Sequence, residues 1–478
     1  MLTIRGTHLD KQSDRQKEKK RDEQTILDGR LYSRQMMEHS ATENWLIENL
    51  DWQNLLKTRL LLENIILLVC AIAAQQNVKT ISWTISYPTH LSRNQRNLCT
   101  KTWQDLTEKA AAFTGLTHRC ESNPNASHFV PNSIAIGKYW QHTTQVDKHH
   151  SSLEPVICLH LGAQITDITF WQNQQLIHQC TLDFSIESLL TQHLQANPAS
   201  LYSCFGLDVE DWHPLESKHF HRQLSLFMQW NGSYHLKKQQ KNSPNADSIH
   251  ALMQLLALGF SGLYYYVGLT LNVLKRNNTY KHNHIPTVYV GGRSSAYIHW
   301  LSSSGRFTNQ DKISLLLSHM LSRGAAIAKP GSHTRLSQHP HAEVAYGLVC
   351  DKIAIAELNE KGPKLLVPGE TFSINHLPYR WDHPTLPTET VRQLTVPTLE
   401  KAPKFLHDFQ AALDTLSIEN IPPLKGYVPS LKVAVNLNLW QSVQQSIKTM
   451  SKPVIAKPST LRTSPPFILV LKALLQQF

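Results

Sequence analysis

Residues 155–184, PVICLHLGAQITDITFWQNQQLIHQCTLDF, constrain the fold more than any other stretch of this chain. An apolar run from Pro155 to His160 reaches a tight turn at Leu161-Gly162-Ala163-Gln164. A second run covers Thr166 to Trp171, and a polar turn at Asn173-Gln174 leads to a third through Leu176, His178, Cys180 and Leu182. Apolar and β-branched runs of strand length with turn residues between them predict a β-β-β meander, and so an α/β fold built on a sheet.

The rest of the chain supplies helices to cover that sheet. The segment LLLENIILLVCAIAA (60–74) predicts a helix with an apolar surface too broad for a lone amphipathic helix, stopped at Asn77. Thr80 to Ser86 reads as one strand. Ser92 and Gln95 form a capping-box pattern ahead of a helix over Asn97–Phe113 that closes at Gly115, and Leu116–Cys120 follows as a short strand. Residues 139–153 read as a polar crossing, 185–194 as a helix and the stretch to about Ala246 as irregular. Ala251–Lys275 is a second strongly apolar helix, whose Gly259, Gly262 and Gly268 permit close packing. Thr287–Val290 is a strand, followed by a Gly291-Gly292 turn and a helix from Ser294 or Ser295. Beyond residue 350 short strands are expected near 365–367 and 372–374, then a Pro-rich linker and helices over 403–416, 442–450 and 467–478. The domain expectation is a charged, disordered arm (1–43), a partial first lobe (44–150), a second lobe (151–350) and a mainly helical carboxyl-terminal extension (351–478).

Five stretches resemble the actin-like and heat-shock-chaperone superfamily of ATPases, which also includes sugar and acetate kinases. His160-Leu161-Gly162-Ala163-Gln164-Ile165-Thr166-Asp167 resembles the phosphate-wrapping turn Asp-x-Gly-Gly-Gly-Thr-x-Asp, with the first acid and two glycines replaced. PTVYVGGRSSAYIHWL (286–301) resembles the adenosine motif, in which glycines let the backbone approach a ring and sugar. ISWTISYPTHLSRNQR (81–96) is similar to a strand and loop of the chaperone ATPases, and Glu121 to Ala126 loosely to a Glu-Pro-Thr-Ala-Ala segment whose acid orients the attacking water. HPHAEVAYGLV (339–349) is similar to a helix that links the lobes, with Gly347 as a hinge. The resemblance extends to a bacterial branch described as acetate and sugar kinase/heat-shock chaperone/actin family proteins.

What this resemblance implies is an actin-like (ribonuclease H-like) two-lobe fold with an incomplete first lobe. ATP and Mg²⁺ are the implied cofactors. Glu121 and Asp167 are the implied catalytic acids, and Gly162, Thr166, Gly291, Gly292, Ser294 and Ser295 the implied nucleotide-binding residues. The expected first phosphate loop, Asp-x-Gly-Thr, has only Ile4-Arg5-Gly6-Thr7 as a candidate, with Arg5 in the acid's place, which suggests a shortened or split form. His160 suits Mg²⁺ poorly, and Ala163 and Gln164 put Cβ atoms where phosphates need bare backbone. These losses favour a weak nucleotide binder or a pseudoenzyme over a competent ATPase. A catalytically silent subunit that docks a protein partner or self-assembles is the alternative.

Composition narrows the remaining classes. The longest apolar run, Ile65–Ala74, is well short of the roughly 18–20 residues that cross a bilayer, so no membrane segment is expected. Seven cysteines without a CxxC pair suit reduced thiols in a cytoplasm. A net charge of +11 favours an anionic partner, but it is diffuse and mixed with acids over 10–23, and no nucleic-acid motif accompanies it. The 26 histidines include His219-x-His221, His282-x-His284 and His339-x-His341, none with a third and fourth ligand at metal-site spacing, so no metal site is expected.

Overall fold

The computed structural model describes residues 25–27, 30–32, 55–119 (apart from 90 and 92), 129–146, 154–207, 224, 227–228, 232–242, 247–328, 334–349 (apart from 341), 366–380, 393–451 (apart from 419) and 463–477. The chain forms two compact units, Met1–His142 with His341–Asn359, and Thr143–Pro340 with Glu360–Phe478. Ser92, Glu121 and the Ile4–Thr7 stretch lie outside the described residues.

In the first unit, β1 (Thr25–Leu27) and β2 (Arg30–Tyr32) pair antiparallel inside the segment expected as an arm. Helix α1 (Leu55–Gln75) ends before Asn77, whose φ of 54° breaks it. The expected single strand at 80–86 is two: β3 (Thr80–Ser82) and β4 (Ile85–Tyr87). Helix α2 (Arg93–Thr114) and strands β5 (Thr117–Arg119) and β6 (Phe129–Pro131) follow, then α3 (Asn132–Val146), which extends through the first half of the expected polar crossing. The break has a physical cause: β3 pairs parallel with β5 and β4 with β6, so the two halves serve different partners. Leu62, Ile66 and Cys70 of α1 recur at helical spacing and bury against Trp83, Trp103 and Leu106. The Glu343–Val349 helix carries Gly347, where a Cβ would lie 1.7 Å from the Ala135 carbonyl oxygen. Only a glycine allows that backbone approach, so here Gly347 serves packing.

The second unit is built on a five-stranded sheet. The meander forms as its turns dictate, with β7 (Val156–Leu161), β8 (Thr166–Gln172) and β9 (Gln175–Leu182). Asn173 and Gln174 both take positive φ, 52° and 62°, as a two-residue hairpin turn matched to strand twist requires. Helix α4 (Ile186–Ala196) falls where the sequence predicts a helix, and α5 (Ala199–Phe205) and α6 (Ser233–Asn242) lie within the stretch expected to be irregular. The long helix α7 (Asp247–Arg276) crosses to β10 (Thr287–Gly291), and α8 (Lys312–Ala325) leads to β11 (Thr334–Leu336). The strand order is β11-β10-β7-β8-β9, with β7, β10 and β11 parallel and β8 antiparallel to both its neighbours.

Helix α7 organises the core of this unit. By length and composition it could cross a membrane, but its most apolar window is entirely buried within the protein, as a helix apolar on every side must be. Its Gly268 meets α8 so closely that a Cβ would lie 2.3 Å from the Leu321 carbonyl oxygen, and Gly324 returns the approach against Tyr265. After β12 (Phe372–Ile374), β13 (Leu377–Tyr379) and β14 (Leu394–Thr395), which form a small sheet, come α9 (Lys401–Leu416), α10 (Leu437–Met450) and α11 (Pro466–Leu475). These carboxyl-terminal helices share one apolar core with the five-stranded sheet. Tyr265 of α7 lies 5.4 Å from the Phe405 ring and 5.6 Å from that of Phe467. Lys472 of α11 pairs with Asp183, just past β9, at 2.9 Å.

Candidate functional site

Strand order reverses between β7 and β10. From β7 the chain turns to β8 and β9 on one side, and it returns through α7 to place β10 and then β11 on the other. Crevices at the carboxyl ends of parallel strands, at such a reversal, are where open α/β sheets bind ligands. Both glycine turns lie there: Leu161–Ile165 at the end of β7 and Gly291–Gly292 at the end of β10.

The two turns touch. Gly292 has φ 80° and ψ 160°, a region open in practice to glycine alone, and a Cβ on it would lie 2.5 Å from the Leu161 carbonyl oxygen and 2.7 Å from the Leu161 nitrogen. Ser294, fully buried, donates its hydroxyl to the Gly162 carbonyl at 2.8 Å. Ser185, the N-cap of α4, donates to the same oxygen at 2.9 Å, so both of its lone pairs are used. The Gly162 N–H donates to the Ile165 carbonyl at 2.9 Å and closes the turn. Thr166, 1% exposed, hydrogen-bonds the Phe184 carbonyl at 2.7 Å and ties the turn to the end of β9.

One row of residues crosses the sheet beneath these turns. Gly291 pairs with His160, His160 with Asp167, and Asp167 with Thr181. Asp167 is 3% exposed and its Oδ1 accepts the Thr181 hydroxyl. Its charge adds to burial in pushing the neighbouring Cys180 thiol up to about 12. Cys158 and Cys180 do not face each other: Cys158 pairs with Thr169 and Cys180 with Ile168, with β8 between them.

Arg293 and Glu187 complete the arrangement. Arg293 Nε donates to Glu187 Oε2 at 2.9 Å and Nη2 to Oε1 at 2.5 Å, a fork in which the two side chains are 18% and 8% exposed. Tyr297 is buried beside them, and burial first and the Glu187 charge second hold its phenol well above the usual range. Ser295, 3% exposed, lies in the middle of the short 3₁₀ helix Arg293–Tyr297, which precedes the α-helical turn Ile298–Leu301 where the sequence predicts a single helix.

Of the residues singled out by sequence, Gly162, Gly291, Gly292 and Ser294 come together directly, Thr166 and Ser295 flank them, and Asp167 lies one position along β8 from Thr166. Glu121 is outside the described residues. Ser185, Glu187 and Arg293 escaped sequence reasoning. Arg293 occupies the unread position of Gly-Gly-x-Ser, and Glu187 stands two residues after a serine at a predicted helix start. The donor set suits Mg²⁺ poorly: Asp167 is buried and hydrogen-bonded, its neighbour on β7 is an imidazole, and no three His, Cys, Asp or Glu side chains among the described residues come together as metal ligands.

No family model and no curated protein matches this sequence. Among solved structures, the ethanolamine utilization protein EutJ from Carboxydothermus hydrogenoformans is similar at a TM-score of 0.29 and 12% identity, over 66% of this chain and 78% of that one.

Proposed function

We propose that this chain is a nucleotide-binding protein of the actin and heat-shock-chaperone type with a degenerate phosphate turn, holding ATP weakly and hydrolysing it slowly or not at all. The observation that carries the reading is the meeting of two motif turns, about 130 residues apart in sequence, at the carboxyl ends of adjacent parallel strands where strand order reverses. In this reading Gly162, Thr166, Gly291, Gly292, Ser294 and Ser295 shape the nucleotide end of the sheet, and Asp167 and Glu121 are the acids nearest the chemistry. Weak hydrolysis follows from Asp167 being committed to Thr181 and from the poor fit to Mg²⁺. A reducing cytoplasm is the compartment assigned, in keeping with the buried thiols of Cys70, Cys158, Cys180 and Cys204.

A second reading, a silent scaffold that docks a protein partner or self-assembles, is favoured by one observation. The Gly162 carbonyl, the Ser294 hydroxyl and the Arg293 guanidinium already have partners within the chain. Thermal unfolding with and without millimolar ATP or ADP, each with Mg²⁺, separates the two. A site of about 100 µM affinity stabilises the native state by roughly 1.4 kcal/mol at 1 mM nucleotide. Stabilisation absent from a Gly292→Val variant supports nucleotide binding, and phosphate release is then the assay for hydrolysis. No stabilisation leaves the scaffold.

A further inference from the structure

We propose, resting on the nucleotide reading above, that Glu187 is a built-in occupant of an anion position between the two turns, and that this carboxylate sets the chain's low affinity for nucleotides. The parts of an anion site converge on it. Arg293, next to Gly292, offers its planar fork at 2.9 and 2.5 Å. The Ser294 hydroxyl lies 3.5 Å from Glu187 Oε2 while donating to the Gly162 carbonyl. Glu187 itself stands in the first turn of α4, where backbone N–H groups and the helix dipole favour negative charge. A helix start and a guanidinium beside glycine turns recognise phosphate or carboxylate, and the Arg fork fits both.

The occupant is intramolecular and desolvated. At 8% and 18% side-chain exposure the pair is largely out of water, so an incoming anion must displace a carboxylate tethered to the same chain. Neutralising the acid takes from Arg293 the carboxylate its Nε and Nη2 face, and a soluble anion of the right shape regains what was lost. A purely structural ion pair shares the destabilisation but gains no affinity for any of these anions.

The experiment is calorimetric titration of ATP, ADP, inorganic phosphate and inorganic triphosphate into the full chain. Wild type is compared with Glu187→Gln, Glu187→Asp and the double variant Glu187→Gln/Arg293→Gln. The expected result is ATP affinity at least tenfold tighter in Glu187→Gln than in wild type and tighter than for triphosphate, with the gain lost in the double variant. Glu187→Asp, which keeps the charge but shortens the fork, falls between and serves if Glu187→Gln does not fold. No gain for any ligand overturns the inference. If wild type and Glu187→Gln bind ATP equally, the nucleotide reading stands and the occupant falls. A tenfold gain for phosphate or triphosphate alone, lost in the double variant, upholds the anion position and sinks the nucleotide reading.

Discussion

His178 gives the sharpest test of how the sheet of the second unit is packed. It stands on β9 opposite Phe170 of β8, is 3% exposed, and has a buried Nε2 without a hydrogen-bond partner. Its ring lies 5.7 Å from that of Phe170. Burial lowers the imidazole from 6.5 to about 4, so the folded chain keeps it neutral where the unfolded chain takes up a proton. The sign follows: the contribution is whole above about pH 6.5 and is lost as pH falls through the folded value. The gap of 2.5 units, 6.5 less about 4, corresponds to about 3.4 kcal/mol at full loss and about 2 kcal/mol at pH 5. Urea unfolding of wild type and His178→Leu at pH 7.5 and 5.0 reads this directly. Wild type should lose about 2 kcal/mol more than the variant between the two conditions. His193 and His299, also lowered by burial, remain in both proteins and cancel. Equal acid sensitivity in the two proteins would refute a neutral, buried His178.

Two further substitutions probe the turns and the carboxyl-terminal helices. Gly292→Ala forces a Cβ onto a residue at φ 80° and against the Leu161 backbone, so thermal unfolding should show a loss of about 1–3 kcal/mol or more; a shift under about 0.5 kcal/mol would mean that the turns are not in contact. Glu370, fully buried, accepts the backbone N–H groups of Glu400 at 2.6 Å, Lys401 at 2.9 Å and Ala402 at 2.6 Å, and so caps α9, which makes no side-chain cap hydrogen bond of its own at Glu400. Glu370→Gln removes the charge and turns an amide toward those donors, for an expected loss of about 2–4 kcal/mol in urea unfolding; near-neutrality would show that the cap is dispensable.

The meander was legible because each of its turns carries its own chemistry: Gly162 at one, and Asn173, a residue that tolerates positive φ, with polar Gln174 at the other. Helix α7 was legible from its length and apolar content. Thr334–Leu336 was not, since three residues of mixed polarity become a strand only when β10 offers a parallel edge. The split of 80–86 had the same origin, because alternation along a chain says nothing of which partner each half will pair with. Helices α5 and α6 were hidden by their brevity, and α6 by a polar sequence that buries Leu236 alone. At the site, glycines could be read because their backbone role is local. The Arg293–Glu187 fork could not, since 106 residues separate the partners and only the return through α7 to β10 unites them.

The constraint on each of the two turns follows from where the unit takes its stability. Helix α7 is buried on every side, α8 meets it glycine to glycine, and α9 and α11 close over it through Phe405 and Phe467. That core is built from the unit's own side chains. Gly292 is different, because its conformation and its contact with Leu161 are part of how β10 lies on β7. Strand packing alone thus requires a glycine at position 292. Ala163 and Gln164 sit at a turn whose hydrogen bonds are made by Gly162, Ile165, Ser185 and Ser294. Beside that turn the Arg293 guanidinium already faces a carboxylate, that of Glu187.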